Sequence, residues 1–469
     1  MPANQPLTLA SPAKALAAAP CRTGAHFRSA ACAALLAAAA LPALAQQYGG
    51  PAILSRGDAP AAMASAQIAF RPFVNLAGTY SAGLSGLDYG TQAASVGGVS
   101  SFGGSGTVGL SGVHSWEHTQ LGLDYLGSYS HYANPNVQTT GYRNQSVLFS
   151  VTHRFSEHAT FALRENAGVY SQPTASPGLP QTAGFDPAAT YNPTTDFYDN
   201  RTTFASTIAN LVYQRSMRLS FNLGGHFNLT DRQLVALYSV TGEGANGDVQ
   251  YRLSERSTVG AVYTYMHFVY HGTFNATDIH TAAGSYAIRF TPSLELTGFG
   301  GISRTEFKFL QTVPIDPVVA ALIGLRSGVV IHHGIVMHPD YNVRLSQNFE
   351  HGVAYISNSF SITPGNGLFL TSTAQNTMAG YSYTAHRYWS FGITAGYMKA
   401  SSLSNVVGDY ADANGSVSAS RQIGRATHVT LAFNGMKYQS STFSGYNRLT
   451  YFASLGLSFA PGDVPLRIW

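Results

Sequence analysis

Along much of this chain apolar and polar residues alternate one for one. In the stretch Arg448 to Phe459, residues Leu449, Tyr451, Ala453, Leu455, Leu457 and Phe459 fall on one side, while Arg448, Thr450, Ser454, Gly456 and Ser458 fall on the other. A period of two is that of a β-strand, whose successive side chains point to opposite faces. Trp389, Phe391, Ile393, Ala395 and Tyr397 alternate in the same way with Ser390, Gly392, Thr394 and Gly396. So do Ala411, Ala413, Val417 and Ala419 with Asp412, Asn414, Ser416 and Ser418, and Leu219, Phe221, Leu223, Phe227 and Leu229 with Ser220, Asn222, His226 and Asn228. Thr203 to Gln214 and Val259 to Tyr270 mix both classes on both faces, so the pattern leaves their register open. In water each apolar face would need a covering layer. The chain repeats the pattern instead of supplying one, and lipid is the economical cover.

Short polar turns punctuate the alternation at residues 116–118, 156–158, 215–218, 254–256, 291–293, 349–351, 386–387 and 424–425, spaced about 38 residues apart with two gaps nearer 58. Each interval holds two strands of about ten to twelve residues and one longer connection. Eight short turns separate nine hairpins, which predicts an all-β, antiparallel, up-and-down transmembrane barrel of eighteen strands over residues 71–459, or sixteen if one hairpin is misread. An even strand number leaves both chain ends on one side. Short turns in such barrels face the periplasm, which places both termini there. Closure pairs every strand edge, as a sheet in lipid requires.

Composition agrees. Charged residues are only 10% of the chain, against about 25% in ordinary soluble domains, and Gly (48) and Tyr (27) are abundant. Arg22, His26 and Arg28 precede the apolar run Ala30 to Ala45, which reads as a signal peptide over 1–45 cleaved between Ala45 and Gln46. Removing Lys14, Arg22 and Arg28 from 26 bases leaves 23 to face 22 acids, a balance that gives no case for nucleic acid. Cys21 and Cys32 leave with the leader, so disulfides, thiolate metal sites and thiol catalysis are excluded from the mature chain. Residues 46–70, rich in Gly, Pro and Ala, read as a periplasmic lead-in. Residues 460–469, broken by Pro461, Gly462 and Pro465, read as a periplasmic tail with Leu466, Ile468 and Trp469 at its tip. That tail either folds against the barrel mouth or docks a periplasmic export partner. The assembly signal of the last strand falls on Tyr451, Leu457 and Phe459.

Two outer loops take up the long gaps. Residues 171–201 carry five prolines and read as an irregular surface loop. In residues 310–332, Asp316 can cap a helix, Pro317 suits its first position, Val318 to Leu325 form an apolar body, and Gly328 can end it. Folded inward, Asp316, Pro317, Leu322, Leu325 and Arg326 would make a constriction; folded outward, they would pack on the rim.

Motifs for chemistry are weak. Gly104-Ser-Gly106-Thr-Val-Gly109 spells a nucleotide-binding fingerprint but is followed by more strand, where a phosphate site needs a helix. His332, His333 and His338, and the pair His267 and His271, lack a carboxylate at ligand spacing, and at strand rise the latter pair stands about 13 Å apart. No metal or cofactor is expected. Ser128, His131 and Asp340 could supply hydrolytic groups, though a Ser-rich chain offers such sets by chance. The more informative set is the polar face: Asn222, His226, Asn228, Thr394, Asp412, Asn414, Ser416, Ser418, His428, Thr430, Asn434, Arg448 and Thr450, with Tyr410 and Phe452 among them, would line a lumen. Barrels of this strand number are wide enough for water, and so few charges imply weak ion selection.

The leader, the turn series and the strands to Phe459 resemble the β-barrel porins of Gram-negative outer membranes, including eighteen-strand barrels linked to exopolysaccharide export. The resemblance implies a non-enzymatic channel for small polar solutes or polysaccharide, with outer-membrane lipid and the barrel assembly machinery as partners. It brings no residue-level motif. A barrel enzyme acting on lipid or peptide, and a structural or adhesive barrel using its long loops, are the alternatives.

Overall fold

A computed structural model describes residues 67–84, 99–133, 141–171, 201–233, 237–273, 275–316, 324, 327–365, 367, 370–386, 388–403, 409–440, 447–461 and 464–467. Every element in them is a strand. The first hairpins are β1 (Gln67–Leu84) and β2 (Val99–Ser115), β3 (Thr119–Tyr132) and β4 (Gly141–Arg154), and β5 (Ala159–Tyr170) and β6 (Thr202–Gln214). Then come β7 (Leu219–Arg232), β8 (Val240–Arg252), β9 (Ser257–Tyr270), β10 (Ala276–Arg289), β11 (Leu294–Pro314) and β12 (Ser327–Phe349). The chain continues through β13 (Gly352–Thr363), β14 (Ser372–His386), β15 (Trp389–Ser402), β16 (Asp409–Gln422), β17 (Thr427–Ser440), β18 (Arg448–Phe459) and the short β19 (Val464–Arg467).

Each strand pairs antiparallel with its sequence neighbours, and β1 closes the sheet on β18 from Val74↔Phe459 to Ala82↔Tyr451. The result is a closed eighteen-strand up-and-down barrel. All eight predicted short turns fall between strands at one end of it, and the longer connections fall at the other. A strand of twelve residues runs about 40 Å, or about 30 Å along the barrel axis at the usual tilt, enough to cross a hydrocarbon layer.

The two faces differ as the alternation predicts. Val74, Leu76, Leu223, Ile393, Leu431, Leu455 and Leu457 are exposed on the outer face. Ser105, Thr107, Asn228, Asp412 and Thr450 are buried on the inner one. The fingerprint-like glycines lie inside β2. Gly109 stands directly beneath the inward ring of Phe73, whose Cε1 would be 2.0 Å from an added Cβ, so the glycine serves packing.

The mixed patterns of β6 and β9 have a cause. Pairing places Phe204, Ile208 and Val212 of β6, and Val262, Met266, Phe268 and Tyr270 of β9, on the inward face together with polar neighbours. Apolar residues there pack inside the barrel, and alternation is lost.

Two boundaries are corrected. Residues 310–314 and 327–332 are not loop: β11 and β12 run on as one ribbon from Leu294↔Gln347 to Pro314↔Ser327, and Gly328 is a strand residue opposite Val313. The β-branched Val313, Val329, Val330 and Ile331 favour that extension. Asp316 is exposed just past β11, whereas Pro317, Leu322, Leu325 and Arg326, and with them the helix, lie outside the described residues. The tail is also more ordered than its prolines imply. After the interruption at Pro461, β19 resumes the line of β18 and pairs with the start of β1, from Gln67↔Arg467 to Phe70↔Val464. Among the described residues β19 has no second neighbour, so Pro465 can leave its missing N–H at the free edge. Ala45, Gln46 and most of loop 171–201 lie outside the described residues.

Candidate functional site: a hairpin tip folded onto the inner wall

The register carries the predicted lumen set to one face. Asn222, His226 and Asn228 on β7 share their parity with Arg232, and Thr394 on β15 meets Ser416 on β16. Asp412, Asn414 and Ser418 follow on β16, His428, Thr430 and Asn434 on β17, and Arg448 and Thr450 at the matching positions of β18. The polar groups knit together along the wall. Asn222 Nδ2 donates to Asp248 Oδ2 at 2.7 Å and Gln250 Nε2 to Asp248 Oδ1 at 2.9 Å. Asn414 Nδ2 donates to Asp412 Oδ1 at 3.0 Å, and the Thr394 and Ser416 hydroxyls meet at 2.6 Å. Asp248 was missed in the sequence because β8 carries no apolar stripe opposite it.

Toward the long-loop end the inner wall changes character. Tyr132, Tyr142, Phe204, Phe268, Tyr270, Tyr410 and Tyr438 are all buried there on the inward face. Tyr132 and Tyr142 meet edge to face at 5.7 Å, and Tyr170 stacks on Phe204 at 5.2 Å. Tyr410 and Phe452 were legible as inward aromatics, but the belt as a whole was not.

One connection folds into this belt. The β12–β13 ladder begins at Phe349↔Gly352 and stops at Tyr341↔Phe360, whereas β13 and β14 stay paired to Thr363↔Ser372. Past Phe360 the β13–β14 tip therefore parts from β12. Ile362, which the register of β13 would turn outward, instead packs in a buried cluster with Val240, Phe268, Tyr270 and Ile279 of the inner wall formed by β8 to β10, flanked by Met266, Leu370 and Leu403.

Hydrogen bonds hold the tip to that wall. The Tyr270 hydroxyl donates to the Pro364 carbonyl at 3.2 Å and lies 2.9 Å from the Thr371 hydroxyl, which is 2.6 Å from that of Thr277. One donor order satisfies all three: Thr277 to Thr371, Thr371 to Tyr270, Tyr270 to Pro364. The Tyr238 N–H donates to the Gly367 carbonyl at 3.1 Å, and the Leu403 N–H to that of Thr371, also at 3.1 Å. Gly365 and Gly367 have φ of 73° and 89°, a left-handed backbone that favours glycine. A Cβ on Gly367 would come within 2.8 Å of Arg232 Cδ, so the bare backbone is what lets the tip seat on that side chain. Pro364-Gly-Asn-Gly367 is a strong turn signal in the sequence; what it could not tell was the direction of the turn.

The other candidates separate. Ser128 lies on the inward face of β3, but His131, three residues on, has outward parity, and Asp340 lies across the barrel on β12. There Asp340 Oδ2 accepts from Ser303 at 2.8 Å and Thr281 at 3.3 Å. His267 does have a carboxylate partner, Asp278 Oδ1 at 2.8 Å, brought opposite by the β9–β10 register and so invisible to linear spacing. That pair faces outward, and His271 is past the end of β9, in a turn. Among the described residues no group of three His, Cys, Asp or Glu side chains is placed to hold a metal ion.

No family model and no curated protein sequence matches this chain. Solved structures match it at low identity. The outer membrane protein OpdK from Pseudomonas aeruginosa is 13% identical, with a TM-score of 0.41 over 85% of this chain and 99% of that one. A BenF-like porin from Pseudomonas fluorescens is 10% identical, with a TM-score of 0.41 over 85% and 99%. The FrpB iron transporter from Neisseria meningitidis is 11% identical, with a TM-score of 0.41 over 82% and 67%. Likeness at this level transfers neither solute nor gating. The barrel assignment rests on this chain's own strand pairing.

Proposed function

We propose that this protein is an outer-membrane channel for small polar solutes, closed in the described state by the β13–β14 tip. The observation that carries the reading is the tip itself, folded inward and hydrogen-bonded to the inner wall of a closed barrel whose outer face is apolar and whose inner face is polar. An apolar outer belt of membrane-crossing height calls for lipid, and a closed sheet satisfies the backbone groups that lipid cannot. Eighteen strands enclose an interior wide enough for water, so closure must come from what folds into it. In this reading Pro364, Gly365, Gly367, Leu370 and Thr371 belong to the constriction; of the candidate at Asp316, Pro317, Leu322, Leu325 and Arg326, all but Asp316 lie outside the described residues.

In this reading the short-turn end and both chain ends face the periplasm, the long loops face outward, and residues 1–45 act as the export signal. Small solutes fit better than a polysaccharide, because a continuous polymer would need the tip held open throughout its passage. The enzyme alternative draws no support from Ser128 and His131, which point to opposite faces.

Planar-bilayer recordings test the reading. The native protein should open rarely, and a variant with residues 364–371 replaced by a two-residue turn should conduct steadily. Absence of conductance from both, with folded barrels confirmed by heat-modifiable migration on gels, overturns it.

A further inference from the structure

The parting of β12 from β13 leaves more than an inward tip. From Ser327 to Asp340 β12 is paired on its β11 side, and among the described residues it has no ladder on its β13 side. Pro339 lies within this stretch and carries no N–H. The ladder to β11 runs on past it through Ile302↔Pro339, and the ladder to β13 stops two residues short of it. Proline is confined to strand edges for that reason, so the sequence itself places an edge here.

The two faces of this edge are chemically opposed. Ile335 (60% exposed), Met337 (66% exposed) and Pro339 face outward on the lipid side. Asp340, 8% exposed, faces inward. Its Oδ2 is held by Ser303 and Thr281, while its Oδ1 and the His338 Nε2 are buried without a hydrogen-bond partner. Buried polar atoms left this way are costly unless something completes them.

We infer that the β12–β13 seam is a lateral portal through which an amphipathic amine reaches the lumen from the outer leaflet, its alkyl chain over Met337 and Pro339 and its ammonium on Asp340 Oδ1. The carboxylate oxygen accepts and an ammonium offers three donors, so the head group can complete Asp340 Oδ1. The edge between Pro339 and Asp340 is where one molecule touches both faces. The portal rests on the channel reading, in that it supplies a second entrance to the same lumen.

The test uses full-length protein in phosphatidylcholine vesicles and a decylamine bearing a chain-end diazirine. After photolysis, peptide mapping should place label on Ile335 to Tyr341 and Phe360 to Thr363, competed by decylamine but not by decanol. Asp340→Asn should lower the labelling about tenfold, the loss of one charge-assisted hydrogen bond. Pro339→Val, which restores a donor and lets the ladder extend, should abolish it and slow amide exchange at Ser361 to Thr363. Label spread evenly round the outer face, equal competition by decanol, or labelling unchanged in both variants would overturn the portal. Because labelling needs no conductance, silence in bilayer recordings would count against the channel alone.

Discussion

The Thr371 hydroxyl, at the root of the β13–β14 tip, lies 2.9 Å from the phenol oxygen of Tyr270 on β9, a contact between residues 101 apart in sequence. Strands β9 and β14 are separated in the sheet by β10 to β13, so this contact joins parts of the inner wall that no strand pairing brings together. Tyr270 is 1% exposed, which makes it the buried post on which the tip rests.

Tyr270→Phe removes the hydroxyl and keeps the ring. Two hydrogen bonds to the tip are lost, worth about 1 kcal/mol each. The expected outcome in single-channel recordings is a rise in the open-to-closed ratio of about thirtyfold, with the conductance of the open state unchanged. An unaltered open probability would show that the tip is not the gate.

Gly367→Val should act from the other side. Its φ of 89° disfavours any branched side chain, and the added atoms would meet Arg232. The barrel should fold with native heat-modifiable migration while the tip fails to seat, which amide exchange at Leu370 and Thr371 would report as faster than native. Exchange as slow as native would mean that the turn accommodates a side chain.

On the outer wall, Leu455 is 61% exposed at the middle of β18. Leu455→Arg puts a charge near the centre of the lipid-facing band and should cost about 2–4 kcal/mol in reversible urea unfolding from bilayers. Leu457→Arg, nearer the short-turn end, should cost less. Equal and negligible costs would argue against lipid on this face.

Truncation after Ala460 removes β19 and leaves Gln67 to Phe70 without their partner on that side, while the nine pairs of β1 with β18 remain. Tyr451, Leu457 and Phe459 are exposed on the outer face of β18; if they carry the assembly signal, the shortened chain should still insert in cells, at a reduced rate of closure. Failure of insertion, read as loss of the protein from the outer-membrane fraction, would move the signal to Trp469.

What the sequence determined by itself is whatever depends on local alternation and local turns. A period of two separates Leu449 to Phe459 from Thr450 to Ser458, and eight polar turns at one spacing set the strand count. Both follow from a pleated backbone and hold without knowledge of any distant contact. The tertiary structure decided what depends on meetings across the barrel. The apolar inward residues of β9 read as noise until the tip of β13–β14 was seen to pack on Phe268 and Tyr270. Pro339 marks an edge only because the ladder beside it stops at Tyr341↔Phe360. In each case the cause is the same: pairing partners are near in sequence order, whereas the groups that pack inside the barrel come from strands that do not pair, and no linear pattern encodes which of them will meet.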